Sequence, residues 1–148
     1  MSVDVVTEAF IDCPPDDVAA FAADPTNAPR WYVNIKAVEW KTQRPAAVGS
    51  RIAFVAQFLG RQMAYTYEIT ELIPGRRLVM RTAEGPFPME TTYTWAVTEA
   101  GGTHMTLRNR GTPSGFSNLV APLIARAMRK ANTKDLAALK ELMESHAG

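Results

Sequence analysis

The sequence predicts an α+β fold in which a curved seven-stranded antiparallel sheet wraps around a long C-terminal helix, with two short helices after strand 1. Three observations predict it. From about Lys36 to Arg110, short segments alternate bulky apolar with polar residues, the pattern of half-buried strands. Five turn signals separate these segments, at Pro45 to Gly49, Gly60, Pro74-Gly75, Gly85-Pro86 and Gly101-Gly102, so that they pair as antiparallel neighbours. One amphipathic stretch then runs to the C-terminus and is the sole long helix available to cover the sheet. Seven strands spaced at about 4.8 Å span roughly 29 Å. A helix with its side chains is only about 10 Å thick. A flat sheet would leave much of its apolar face in water, so the sheet must curl.

The elements follow in order. Val3, Val5, Thr7, Ala9 and Ile11 occupy every second position and mark a first strand. Pro15 suits the first position of a helix, where its missing N–H matters little, and Asp16 and Asp17 complement the positive end of the helix dipole. Val18, Phe21 and Ala22 form the inner face of that helix. Asp24-Pro25 ends it, and Pro29 disfavours a helical conformation at Ala28, so a second helix before Trp31 is brief. Six strands follow, divided by the five turns. The long helix carries Phe116, Leu119, Val120, Leu123, Ile124, Ala127, Met128 and Ala131, then Leu136, Leu139, Leu142 and Met143. Pro122 marks its start, because proline inside a helix costs about 3 kcal/mol and is tolerated only in the first turn.

The 148 residues fit a single domain, 1–148, long enough to bury roughly 70% of the surface of the unfolded chain. Hydrophobic content of 47%, charged content of 21% and a net charge of +1 argue against a dedicated nucleic-acid binder, and no zinc-finger, helix-turn-helix or RNA-binding signature occurs. Asp4 and Glu8 interrupt the apolar pattern of the first residues, which excludes them as the core of a signal peptide. No stretch approaches the roughly 20 apolar residues of a membrane span. The expected compartment is the cytoplasm, and a lone cysteine, Cys13, excludes an intramolecular disulfide. Six acids precede Arg30 without one Lys or Arg, whereas Arg126, Lys130 and Lys134 stack at helical spacing on the C-terminal helix. That basic stripe reads as a solvated face or as an attraction for anionic lipid or an acidic partner.

One parity of the strands carries Phe54, Phe58, Met63, Tyr65, Tyr67, Ile69, Met80, Met89, Tyr93, Trp95, Met105 and Leu107. These residues can fill an ordinary core. The mixture of Met, aromatics and hydroxyl-bearing Tyr nevertheless differs from the Leu, Val and Ile of a compact interior: Met adapts to irregular shapes, and a buried Tyr needs a partner for its hydroxyl. The polar residues Thr82, Thr91, Asn109 and Glu71 share the parity; Glu71 has the alternative of pairing with Arg76 or Arg77 in solvent.

Four groups of phrases occur in sequence order. These are Pro15-Asp16-Asp17-Val18 with Asp24-Pro25 and Pro29-Arg30-Trp31; Val48-Gly49-Ser50-Arg51; Tyr67-Glu68-Ile69-Thr70-Glu71 with Pro74-Gly75-Arg76-Arg77-Leu78; and Asp135-Leu136 with Leu139-Lys140. With the order of elements, they make nearly the whole chain resemble the START-like (SRPBCC) superfamily of polyketide cyclases/dehydrases and lipid-transport proteins, whose fold is called a helix-grip. The resemblance implies a cavity between sheet and C-terminal helix that holds a hydrophobic or amphipathic small molecule, without saying which, since the superfamily shares a container rather than a chemistry. On that basis the expected ligand-binding residues are Trp31, Phe54, Phe58, Tyr65, Tyr67, Met80, Met89, Thr91, Tyr93, Trp95, Met105 and Asn109 from the sheet side. Leu123, Ala127, Met128 and Ala131 are expected from the helix, with Ala127 and Ala131 leaving room. Trp31 either lines the mouth or staples the short helices to the sheet.

Catalytic signatures are sparse. His104 falls on the outward parity and His146 lies near the C-terminus, no His/Cys cluster has metal-ligand spacing, and neither a phosphate-binding Gly-rich loop nor a Gly-x-Ser-x-Gly elbow occurs. No metal or cofactor is expected. The leading reading is a binding or transport protein for a lipid, polyketide or aromatic metabolite, acting as a monomer or homodimer. A cofactor-independent polyketide cyclase, aromatase or dehydratase is the alternative, with Tyr65, Glu71 and Asn109 as candidate catalytic groups that polarise carbonyls. A protein-binding module that uses the basic helix stripe is the third reading.

Overall fold

The computed structural model describes residues 3–85, 88–112 and 121–147. Phe116, Leu119, Val120, Pro86 and the side chain of His146 lie outside that description. The chain runs β1 (Val3–Ile11), α1 (Pro15–Ala22), a 3₁₀ turn (Pro25–Asn27) and α2 (Ala28–Trp31). It continues through β2 (Ile35–Trp40), β3 (Arg51–Phe58), β4 (Arg61–Ile73), β5 (Arg77–Glu84), β6 (Met89–Val97), β7 (Thr103–Gly111) and α3 (Ala121–Ala147). All seven strands form one sheet in the order β1-β7-β6-β5-β4-β3-β2, antiparallel throughout. The sheet curls around α3, as its width requires. Among the described residues, no helix is long and apolar enough to cross a membrane.

Local chemistry sets the boundaries. Pro15 opens α1 with Asp16 and Asp17 in its first turn, and Val18, Ala19 and Ala22 face inward. Phe21 is only half-buried, with the Arg30 guanidinium 5.0 Å from its ring centre. Asp24 accepts a hydrogen bond from the Thr26 N–H at 3.0 Å and caps the turn that follows. Trp40 Nε1 donates to Thr26 Oγ1 at 2.9 Å, which ties that turn to β2. The β3–β4 hairpin turns through Leu59 and Gly60, both at positive φ (52° and 76°), the pairing that matches the twist of the flanking strands.

Two apolar clusters fill the grip. The larger joins Val18, Ala19 and Ala22 of α1 to Trp31, Trp95, Met105, Leu107, Leu136 and Leu139; the smaller gathers Val3, Met63, Tyr65, Met89 and Ile124 near the other end of the sheet. Tyr67 packs against both. The long helix lies along the edge strand β1 and meets α2, so the short helices close one end of the grip.

Two of the β-bulges in the sheet, both between β4 and β5, correct the parity read from the sequence. Ile69 pairs with Met80 but Glu71 with Val79, so Thr70 is an extra residue on β4. Beyond it Leu72 turns inward and Glu71 outward, where Glu71 Oε2 meets Arg77 Nε at 3.2 Å. Ala83 is the corresponding extra residue on β5, between the pairs Tyr67 with Thr82 and Thr66 with Glu84.

Candidate functional site

Between the concave sheet and α3 lies a cavity of about 160 Å³. Strands β3 and β4 line it with Phe54, Phe58, Met63, Tyr65, Tyr67 and Ile69, and β5 adds Leu78 and Met80. Strands β6 and β7 contribute Met89, Thr91, Tyr93 and Asn109. From α3 come Ile124, Met128, Asn132 and Asp135, one stripe at helical spacing. The segment around α2 supplies Tyr32, Asn34 and Ile35. Room comes from small side chains, Ala22, Ala23 and Ala28 on the short helices and Ala56 on β3. Gln57 and Phe58, which also line the cavity, are exposed and half-buried respectively and place the opening beside the end of β3.

The polar groups in the wall form two sets. On the sheet side Thr91 Oγ1 donates to Asn109 Oδ1 at 2.5 Å, and these residues are cross-strand partners. Burial pushes the Tyr67 phenol up to about 12, while its hydrogen bond with Thr91 acts in the opposite direction. The Tyr65 hydroxyl donates to Met63 Sδ at 3.2 Å, and burial raises this phenol too. On the helix side the hydroxyls of Tyr32 and Tyr93 hydrogen-bond to each other. Burial lifts both phenols far above their ordinary value, and the nearby Asp135 charge adds to the effect.

Asp135 is the one charged side chain in the described wall and is only 2% exposed. Its Oδ1 accepts a hydrogen bond from the Val33 N–H at 2.9 Å. Burial raises its pKa from 3.8 to about 7, against the opposing effect of the Val33 bond. Asn132, three residues earlier on the same face and 6% exposed, has no hydrogen-bond partner for its amide nitrogen among the described residues. An apolar lining with a few convergent polar groups and a strongly shifted acid is the physical profile of a binding or active site.

The family described as polyketide cyclase / dehydrase and lipid transport matches residues 2–144. The chain belongs to this family. Its fold matches a protein of Thermus thermophilus at 22% identity, covering 98% of this chain and 99% of that one with a TM-score of 0.82. A START superfamily protein from Mycobacterium smegmatis matches at 11% identity over 96% and 97% of the two chains, again at 0.82. The Zhui aromatase/cyclase from Streptomyces sp. R1128 matches at 16% identity over 100% and 97%, also at 0.82. No curated protein matches the chain. Membership of the family indicates hydrophobic ligand binding or polyketide cyclase-type activity.

Within this helix-grip the structure brings together Phe54, Phe58, Tyr65, Tyr67, Met80, Met89, Thr91, Tyr93, Asn109 and Met128 around one volume. Other candidates lie elsewhere. Trp95 and Met105 have the inward parity but are cross-strand partners at the end of the sheet that α1 covers, so they are core. Trp31 is likewise core: its ring stands 4.2 Å from that of Tyr32 and 5.6 Å from that of Tyr93, and it staples α2 to the sheet. Glu71 faces solvent beyond the Thr70 bulge. Thr82, whose Oγ1 accepts the Met89 N–H at 3.0 Å, does not line the cavity. Leu123 is 48% exposed, and Ala127 and Ala131 are half-buried beside the lining stripe. The expectation that these three face the cavity is therefore corrected by about 100° of helix rotation. His104 stacks on Phe10 on the outer face, with Nε2 2.7 Å from Glu8 Oε2. Among the described residues no group of three His, Cys, Asp or Glu is placed to hold a metal.

Sequence reasoning missed Tyr32, Asn34, Ile124, Asn132 and Asp135 as wall residues. A signal for the last two existed: they are polar residues at i and i+3 on the face that continues into Leu136 and Leu139.

Asp135 gives the fold a defined pH dependence. Its folded-state pKa lies above the unfolded value, so its favourable contribution is fully present below about pH 4 and is lost as pH rises through about 7. Replacement by Asn keeps an acceptor for Val33 but cannot ionise. Asp135→Asn is expected to flatten the fall in unfolding free energy between pH 4 and 8, removing a slope worth up to about 4 kcal/mol, as measured by urea unfolding across that range. An unchanged slope contradicts the assignment.

Proposed function

We propose that the protein binds or carries a hydrophobic small molecule of about one or two rings, enclosed between the sheet and α3. The observation that carries this reading is the 160 Å³ cavity, whose wall combines Met and aromatic side chains with an amide nitrogen that has no protein partner among the described residues. At roughly 24 cal/mol per Å³, an apolar void of that volume lowers stability by about 4 kcal/mol. A ligand that fills it recovers that energy and buries further apolar area at about 25 cal/mol per Å². The size is comparable to an engineered cavity of about 150 Å³ that accepts benzene.

The test is calorimetric binding and thermal shift with one-ring and two-ring aromatics and short lipids. Binding with a dissociation constant in the micromolar range or tighter is expected. Ala56→Phe, which projects a ring into the cavity, is expected to weaken it at least tenfold, while Leu123→Ala, outside the wall, leaves it unchanged. Absence of any shift across the panel contradicts the reading.

Asp135 favours a second reading, cyclisation or dehydration of a polyketide-like substrate, because a carboxyl with a pKa near 7 in a largely apolar cavity exchanges a proton readily at neutral pH. Tyr65 and Asn109 line the same volume and Glu71 does not. On this reading the protein converts 3-hydroxy-1-tetralone to 1-naphthol and water. Asp135→Asn is expected to slow that conversion about 100-fold and Glu71→Gln to leave it unchanged, followed by naphthol fluorescence. Equal rates with and without protein contradict it.

A further inference from the structure

The helix side of the cavity carries chemistry that apolar binding alone does not use. Asn132 and Asp135 sit three residues apart on α3, so their side chains emerge as neighbours on one face. Both are more than nine-tenths buried, and both line the cavity. Neither is saturated. Asp135 spends Oδ1 on the Val33 N–H, and no hydrogen bond engages its second oxygen among the described residues. No hydrogen bond holds the Asn132 amide nitrogen among them either; the atom is enclosed as it stands, and rotation about the broad terminal torsion of the amide would direct its N–H into the cavity. A buried donor and a buried acceptor left side by side are each costly unless something pairs them.

The charges of the wall narrow what that partner can be. No Lys, Arg or His lines the cavity among the described residues, and its single charge is the Asp135 carboxylate. A ligand carboxylate would enter a site with no cation and one like charge. An ammonium would satisfy Asp135 but would offer no acceptor to the Asn132 N–H, since it has donors only. A neutral molecule with a carbonyl and a hydroxyl at the same end satisfies both.

We propose that Asn132 and Asp135 form a recognition pair for a neutral hydroxycarbonyl ligand, with the Asn132 amide donating to the carbonyl oxygen and the second Asp135 oxygen accepting from the hydroxyl. The proposal rests on the reading that the cavity binds a small hydrophobic molecule, and it names the head group that orients such a molecule. The apolar remainder lies against Met80, Met128 and the sheet.

The test compares five ligands of nearly equal size by calorimetry on the full chain: 2-hydroxy-1-tetralone, its 2-methoxy ether, 1-tetralone, 1-aminotetralin and 1-naphthoate. The hydroxyketone is expected to bind at least tenfold tighter than the ether or 1-tetralone, and naphthoate and the amine more weakly than either. Asn132→Leu, of similar volume, is expected to reduce binding of all three ketones about tenfold while retaining the preference for hydroxyl over ether. Asp135→Asn keeps an acceptor for Val33 and presents an N–H to the ligand, so it is expected to bring hydroxyketone and ether within twofold of each other. Equal affinity for the three ketones in the native chain, unaltered by either substitution, overturns the recognition pair and leaves apolar binding standing. A preference for the amine or for naphthoate overturns the neutral head group. Failure of every ligand to bind overturns both the pair and the binding reading.

Discussion

The rest of the structure depends on a mismatch of widths. Seven hydrogen-bonded strands are roughly three times as wide as the helix that must cover them. The sheet answers by curling, the short helices close one end, and the helix runs beside the edge strand β1. Curvature does not bring every part of the concave face into contact with α3. Where α1, Leu136 and Leu139 meet Trp95 and Met105 the packing is a dense core. Beside it, small residues on the short helices and on β3 leave a ligand-sized volume between the sheet and α3. Core and cavity are thus two parts of one apolar surface, distinguished by the size of the side chains that face each other across it.

That geometry gives the polar wall residues their energetic weight. A carboxyl in water is ionised at neutral pH with little consequence for folding. The same group enclosed with Asn132, Tyr32 and Tyr93 has lost most of its hydration and has one backbone N–H in return. Its ionisation then opposes stability across the physiological range, which a residue of purely structural use would not require, since Leu or Met at the same place would pack without penalty. The tyrosine pair and the Thr91–Asn109 bond, by contrast, are satisfied within the protein. On α3 the Asn132 amide nitrogen and the second Asp135 oxygen remain without a partner among the described residues, as do the indole nitrogens of Trp31 and Trp95, which lie outside the cavity wall.

How much of this was legible in the sequence depended on which physical signal each feature leaves. The antiparallel pairing of successive strands after Trp31 and the single long helix followed from turn residues and periodicity, which are local, whereas the place of β1 beside β7 leaves no local signal. The lining of β3, β4, β6 and β7 followed from strict alternation. Glu71 escaped because a bulge at Thr70 inverts the alternation, and nothing in the Ile69-Thr70-Glu71 run announces an extra residue. Trp95 and Met105 were placed on the right face and the wrong part of it, because parity reports a side and not a position along the strand. The lining face of the helix is hidden for a physical reason. An apolar stripe points toward Leu123, Ala127 and Ala131 as long as polar residues are assumed to face solvent, and here Asn132 and Asp135 interrupt the buried stripe itself. A site that needs buried polar groups therefore obscures its own position in any hydrophobicity pattern.

The central claim is that the curl of the sheet maintains a ligand-sized volume with its polar pole on α3. The most direct measurement is a crystal structure of the chain after exposure to a mixed extract of hydrophobic metabolites. The account predicts continuous density in the cavity, in hydrogen-bond contact with Asn132 and Asp135 and packed against Met80 and Tyr67. A structure in which Met80, Met89 and Met128 fold across the space and close it, with no density beside Asp135, would contradict it.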